Sequence, residues 1–329
     1  MRIVLDRKTL QSLHALHRFT GLPRAIVLAA GLAFILGGCR IDASSYLGDA
    51  PPRFVPPASG ASPIRIAMVL SGGGPRGFAH VGVIKAIEEA GIPVDLVVGS
   101  SAGALVGALC AAGLKADAIE TLALAIEPRE LIDFVWYLGK VRGDAIEHFV
   151  NEQVGSRRIE QLPMRFAAVA TRMRDGKAEI FNAGDTGAAV RASVATQDAW
   201  IGRFLPSAIG DEDYVDGDIA APLPAHAARR LGAAFVIAVD LSAHLERAPP
   251  GAERYRASDQ DRKKRIDIER TSVDFMIHPD IGYWTNMSIA YRRRVIDIAY
   301  QETKRLLPTL RVRLRDAGYG QYNPSVNVE

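Results

Sequence analysis

Cysteine is nearly absent from this chain of 329 residues: Cys39 and Cys110 are the only two, too few for a disulfide framework. Histidine is also scarce, with seven residues and no HExxH-like ligand spacing, so no metal site is read here, and no cofactor is expected. Neither sign of charge is in excess. There are 40 Lys+Arg against 37 Asp+Glu, and five of the basic residues but one of the acidic ones fall in the first 38 positions. The remainder holds 35 basic and 36 acidic residues, so the pI of 8.9 belongs to the leader and no nucleic-acid partner is implied. What the chain has is apolar content: 48% hydrophobic against 23% charged residues, the balance of a globular protein that buries a core.

The first 38 residues stand apart. Arg2, Arg7, Lys8, Arg18 and Arg24 precede an unbroken apolar or small stretch over residues 25–38. That stretch is 14 residues long, short of the roughly 20 that span a bilayer as a helix. A basic segment followed by a short apolar one is the pattern of a secretory signal. The run ends Leu36-Gly37-Gly38-Cys39. This resembles the lipobox of bacterial lipoproteins, which implies lipidation at Cys39 and a signal peptide over 1–38. The other readings are an uncleaved anchor or a plain signal peptide. With Cys39 lipidated no disulfide forms, and Cys110, after an Ala/Leu/Gly run, reads as a packed core thiol. Arg40 follows Cys39 where inner-membrane lipoproteins carry aspartate. The resemblance therefore implies a cell-envelope protein, lipid-anchored in the outer membrane and facing the periplasm.

Residues 39–62 contain Pro51, Pro52, Pro56 and Pro57 and read as an extended tether. The folded domain is expected over 63–310, with a tail at 311–329. Residues 64–70 form an apolar run ending in glycines, suited to a buried strand. Residues 81–90 have helical spacing, 94–98 form another strand, and 102–112 form a helix of small residues. Later strands fall at 166–170 and 235–241, a helix at 225–231, and a long amphipathic helix at 285–307 whose Arg292, Arg293 and Arg294 read as its solvated face. Alternation of strand and helix gives the fold class: α/β, a mostly parallel central sheet flanked by helices.

Three motifs carry chemistry. Gly99-Ser100-Ser101-Ala102-Gly103 lies between a strand and a helix, where a tight turn would expose the serine and the helix N-terminus would favour developing negative charge. Gly72-Gly73-Gly74-Pro75-Arg76-Gly77 follows the first strand. Consecutive glycines there can aim backbone amides at an oxyanion, or simply make a tight turn. The same stretch satisfies G-x-G-x-x-G, but a dinucleotide site needs an acid beyond the second strand, and Gly99-Ser100-Ser101 stands there instead. Asp216-Gly217-Asp218 is by itself a turn sequence.

Taken together and in this order, the motifs resemble the patatin-like phospholipase family, with its GGGxRG loop, GxSxG elbow and DG[GA] motif. Phe78-Ala79-His80-Val81-Gly82-Val83, Arg191-Ala192-Ser193, Pro222-Leu223-Pro224, Val236-Ile237-Ala238-Val239-Asp240 and His278-Pro279-Asp280 resemble the surroundings of those motifs. The resemblance spans roughly 64–307. It implies a three-layer patatin-like fold and a serine acyl hydrolase in which Ser101 is the nucleophile and Asp216 its base. Gly72, Gly73, Gly74 and Arg76 would form the oxyanion loop, and Gly99 and Gly103 would shape the elbow. The implied substrates are membrane lipid esters, phospholipids or lysophospholipids. Two positions depart from the family pattern: Asp218 stands where Gly or Ala is usual, and residues 194–200 replace a small, proline-rich stretch. Asp218, facing the site, would repel Asp216. Two alternatives remain: an α/β-hydrolase esterase whose Ser-Asp-His triad draws on His226 or His244, and an inactive lipid-binding lipoprotein of the same fold. His80 reads as packed or capping.

Overall fold

A computed structural model describes residues 43–197 and 203–319. The leader over 1–38, Cys39, residues 198–200 of the divergent segment and the last ten residues lie outside the described residues.

In chain order the elements are β1 (Ser44–Ser45), β2 (Ile64–Leu70), α1 (Ala79–Glu89), β3 (Leu96–Ser100), α2 (Ala102–Ala111) and α3 (Ala116–Ala125). A hairpin follows, β4 (Phe134–Val135) and β5 (Lys140–Val141), and then α4 (Asp144–Gln153), β6 (Arg165–Arg172), β7 (Ala178–Phe181) and α5 (Thr186–Ser193). The remainder is β8 (Arg203–Phe204), β9 (Ser207–Ile209), β10 (Glu212–Val215), α6 (Ala225–Arg230), β11 (Ala233–Val239), α7 (Arg256–Glu269), β12 (Phe275–Ile277) and α8 (Ile289–Leu314).

The main sheet runs β1-β9-β10-β6-β3-β2-β11-β12. The five strands from β6 to β12 pair in parallel, while β10 and β7 join β6 antiparallel. The continuous apolar run of β2 follows from this position. Ile66, Met68 and Leu70 face one core together with α1, α2 and α8, and Ala67 and Val69 face a second core with α6. A strand covered on both faces has no solvent side on which to place polar residues.

Two expectations give way. Residues 43–57 lie against the domain as an added edge. β1 pairs in parallel with β9, the Arg53 amide donates to Ala183 O at 2.9 Å, and Asn182 brackets Val55 by accepting from its amide and donating to its carbonyl. The prolines keep this stretch extended, as a tether would be, but the residues between them retain the groups that pair with a sheet edge. Arg292 is not on a solvated face. It is 3% exposed and donates to the carbonyls of Met287, Ala123 and Ile126, closing the end of α3. The late helix also begins at Ile289, where the Ser288 side chain accepts from the Tyr291 amide, and it continues through Pro308 to Leu314.

Candidate active site

The parallel strands deliver their following loops to one edge of the sheet, and the chain from β3 to α2 turns there in a single residue. Ser101 occupies that turn with φ 50° and ψ −124°. A non-glycine residue with positive φ costs on the order of 1–3 kcal/mol and persists only where its surroundings over-determine it. Here the Ser101 amide donates to Ser193 Oγ at 2.9 Å, and Ser193 Oγ donates onward to Val169 O at 2.6 Å. The flanking glycines let α2 settle onto the sheet. A Cβ on Gly103 would stand 2.3 Å from Leu70 O, and one on Gly99 2.3 Å from Gly103 O.

Asp216 arrives from the other direction, on the antiparallel β10. Its backbone is fixed by its own amide to Ala195 O (3.1 Å) and by Thr171 Oγ1, which donates to Asp216 O (2.7 Å). The carboxylate is thereby aimed at the elbow: Oδ2 accepts from Ser101 Oγ at 3.0 Å, and Oδ1 accepts from the Asp218 amide at 2.9 Å. Both side chains are buried, Ser101 at 7% and Asp216 at 6% exposure. Burial, joined by the nearby Asp218 charge, raises Asp216 from the ordinary 3.8 to about 7, although the Asp218 amide, the Ser101 hydroxyl and Arg262 pull the other way.

The glycine loop divides into parts with different tasks. The Gly72 amide donates to Pro222 O at 3.0 Å, so it is not free for an oxyanion, contrary to expectation. Gly73 (φ 147°) and Gly74 (φ 54°) take backbone conformations that suit glycine, and both line the cavity in front of Ser101. Among the described residues their amides have no protein acceptor. Arg76 also departs from the oxyanion role: its guanidinium donates to Gly282 O at 2.8 Å and to Tyr283 O, tying the loop before α8 to the glycine loop.

Asp218, the odd residue of the third motif, has a counterion that the sequence reading missed. Arg262 on α7 grips it with two bonds, Nε to Oδ2 at 3.0 Å and Nη2 to Oδ1 at 2.8 Å, and Nη2 also donates to Gly72 O at 3.0 Å. In a trans peptide the carbonyl and the following amide point in opposite directions. Arg262 therefore fixes the plane of the unit that carries the Gly73 amide while it offsets the charge beside Asp216. The clue available in sequence was the acid itself: a carboxylate near a second buried carboxylate calls for a cation.

Among the described residues no histidine is hydrogen-bonded to Ser101 or Asp216. His226 pairs with Glu269 (3.1 Å), and His244 pairs with Glu246 (3.2 Å) while stacking on His278. His80 is buried against Ser71 O at 2.8 Å and is lowered to about 4 by burial, so it is neutral. Cys110 is a free buried thiol, pushed up to about 12 by burial. No cluster of three or more His, Cys, Asp or Glu among the described residues is placed to hold a metal.

Ser101 and Asp216 open onto a cavity of about 1210 Å³. One side is apolar, with Phe78, Val81, Leu105, Leu109, Ile119, Leu122 and Phe149. The other is polar, with Asp218, Asp240, His244, Arg254, Arg262 and Lys263.

An elbow serine in strained backbone, at the carboxyl edge of a parallel sheet and against a buried aspartate, defines a class of α/β protein with a nucleophile-elbow turn. Residues 68–229 match the family model described as Patatin-like phospholipase. The chain belongs to the patatin-like phospholipase family. It is 36% identical over 187 residues to an uncharacterized NTE family protein of Mycobacterium tuberculosis, covering 56% of this chain and 51% of that one. It is 33% identical over 193 residues to human patatin-like phospholipase domain-containing protein 6, covering 55% of this chain and 14% of that one. The chain thus spans about half the length of the mycobacterial relative and a smaller share of the human one. In fold it resembles the crystal structure of VipD from Legionella pneumophila, with a TM-score of 0.53, 16% identity, and 85% of this chain and 73% of VipD covered.

Proposed function

We propose that the protein is a lipid ester hydrolase in which Ser101 attacks the acyl carbonyl and Asp216 takes its proton. The observation that carries this reading is the 3.0 Å contact between Ser101 Oγ and Asp216 Oδ2 at the floor of a half-apolar cavity. An aspartate near its ordinary pKa is a weak base for an alcohol, whereas one raised to about 7 is closer to the proton affinity useful at neutral pH. As Oγ bonds to the carbonyl carbon, the proton passes to Asp216 and negative charge gathers on the carbonyl oxygen. The Gly73 and Gly74 amides would receive that charge. Collapse expels the alcohol, which leaves with the proton from Asp216. Water, deprotonated by Asp216, then attacks the acyl-enzyme; the C–Oγ bond breaks, Oγ takes the proton back from Asp216, and the fatty acid leaves.

The apolar wall suits an acyl chain and the charged wall a polar head, so we place phospholipids and lysophospholipids first among the substrates. The human relative's designation as a phospholipase-domain protein supports that class. Asp218, which together with the 194–200 segment speaks for an inactive lipid binder, is offset by Arg262. The Ser-Asp-His alternative calls for a histidine bonded to Asp216 or Ser101, and among the described residues none is. The lipobox-like Leu36–Cys39 stretch supports anchoring through lipidated Cys39 in the cell envelope, facing the periplasm. The test is fatty-acid release from phospholipid, lysophospholipid and monoacyl ester. S101A and D216N should each lose it, while His226→Ala and His244→Ala keep it. Retention by D216N, or loss in either histidine variant, would overturn the dyad.

A further inference from the structure

The β4–β5 hairpin carries a feature that the catalytic reading does not use. It presents the three most exposed aromatic side chains among the described residues: Trp136 at 82% and Tyr137 at 64% at its tip, and Phe134 at 54% on β4. Val135 and Val141 fasten the hairpin to the core at 8% and 0% exposure, so its alternate positions are turned outward. Trp136 and Tyr137 meet edge to face at 5.8 Å and form one projecting unit. Such a cluster gains nothing in water, whereas Trp and Tyr gather at the headgroup level of bilayers, where an apolar ring and a polar edge are both accommodated.

The hairpin base is held by Asp133, which accepts from the Gly143 and Asp144 amides at 2.7 and 2.9 Å. Asp144 in turn accepts from Ser44 Oγ at 2.9 Å. The segment that begins at Ala43 is thus pinned beside the hairpin base, and Leu47, three residues past Ser44, is 92% exposed. Only four residue steps separate Ala43 from Cys39, a reach of at most about 14 Å fully extended. A lipid on Cys39 would enter the bilayer within that reach of Ala43. On its other side β5 pairs with β8, whose Phe204 lines the active-site cavity together with Leu131.

We infer that the Trp136–Tyr137 hairpin tip is a membrane-docking element that seats in the interfacial layer of a lipid bilayer beside the cavity. The inference rests on the lipid-hydrolase reading for its purpose and on Cys39 lipidation for its geometry. Its test requires no turnover.

The processed chain, extracted from cells and reconstituted into phosphatidylcholine/phosphatidylglycerol vesicles, is read by tryptophan fluorescence with lipids brominated along the chain. The expected result is a quenched component that disappears in W136F and survives in W284F, with the melting temperature of both variants unchanged. In parallel, a W136S/Y137S variant should hydrolyse vesicle lipid roughly tenfold more slowly than the parent while keeping its rate on a monomeric soluble ester. Trp136 emission open to aqueous acrylamide and untouched by brominated lipid would overturn the inference. So would shielding from both quenchers, the mark of a second copy or another protein on the tip. Loss of all hydrolysis by the parent protein, with lipid quenching of Trp136 intact, would overturn the hydrolase reading and leave the docking element standing.

Discussion

The two walls of the cavity are built by different rules. The apolar wall, with Val81, Leu105, Leu109, Ile119 and Leu122, comes from helices inside the matched residues 68–229 and lies next to the elbow in sequence. The charged wall holds Asp218 from within the match, but Asp240, Arg254, Arg262 and Lys263 come from after residue 229. The first wall is positioned by local turns and backbone approach. The second depends on one long-range grip, Arg262 on Asp218 and Gly72. Residues inside the family match bring Ser101 and Asp216 together and bury them beside Asp218, while Arg262, from outside it, adds the cation that offsets the Asp218 charge.

The largest expected effect falls on the first region. S101A and D216N should each lower kcat by at least ~10³-fold with secondary structure retained, as read by lipid hydrolysis beside circular dichroism. Comparable activity in either would remove the distinction between the reacting atoms and their surroundings.

Next in size is the apolar wall. Leu105 lies one helical turn beyond Ser101, on the same face of α2. L105W should cut kcat/KM for long-chain esters roughly tenfold relative to short-chain ones, because it fills the space an acyl chain would take. Equal losses for all chain lengths would show that this wall does not hold the acyl group.

The charged wall makes a two-sided prediction. D218N removes a like charge near Asp216 and leaves Arg262 in place, so the acidic limb of the kcat/KM profile should move down by about one pH unit. R262M leaves Asp218 unpaired, so that limb should move up by a similar amount, and kcat should fall as the Gly72–Gly73 peptide loses its anchor. R262M should also cost a few kcal/mol of stability, because it strands a partly buried carboxylate. Limbs that move the same way, or not at all, would separate this pair from the base.

A separate effect concerns stability. Asp216 titrates near 3.8 when unfolded and is raised to about 7 in the fold, chiefly by burial. Its contribution is complete below pH 3.8 and is lost as pH rises to about 7, because the unfolded chain ionises first. D216N should therefore melt at a flatter, higher temperature across that window and above it.

Much of the parallel core was legible from sequence because strands buried on both faces read as plain apolar runs: the strand over 64–70 is found as such, and the helix begun at Ala102 is found one residue shorter. The juxtaposition of Ser101 and Asp216, 115 positions apart, came only from the family resemblance, since Asp216-Gly217 alone is a turn sequence. Arg262 was invisible because α7 is strongly polar and lacks apolar periodicity, so neither its helix nor its facing was marked. Three consecutive arginines look solvated in sequence, yet Arg292 caps the carbonyls at the end of α3 from within the core. Residues 43–57 were misassigned because proline content reports an extended backbone and says nothing of whether a sheet edge lies alongside.

The central claim, an elbow serine activated by Asp216, is tested most directly by site-resolved reaction with a fluorophosphonate. The account predicts an adduct on the Ser101 peptide that forms faster as pH rises through about 7 and is lost in D216N. An adduct on another residue, or Ser101 labelling of undiminished rate in D216N, would contradict it.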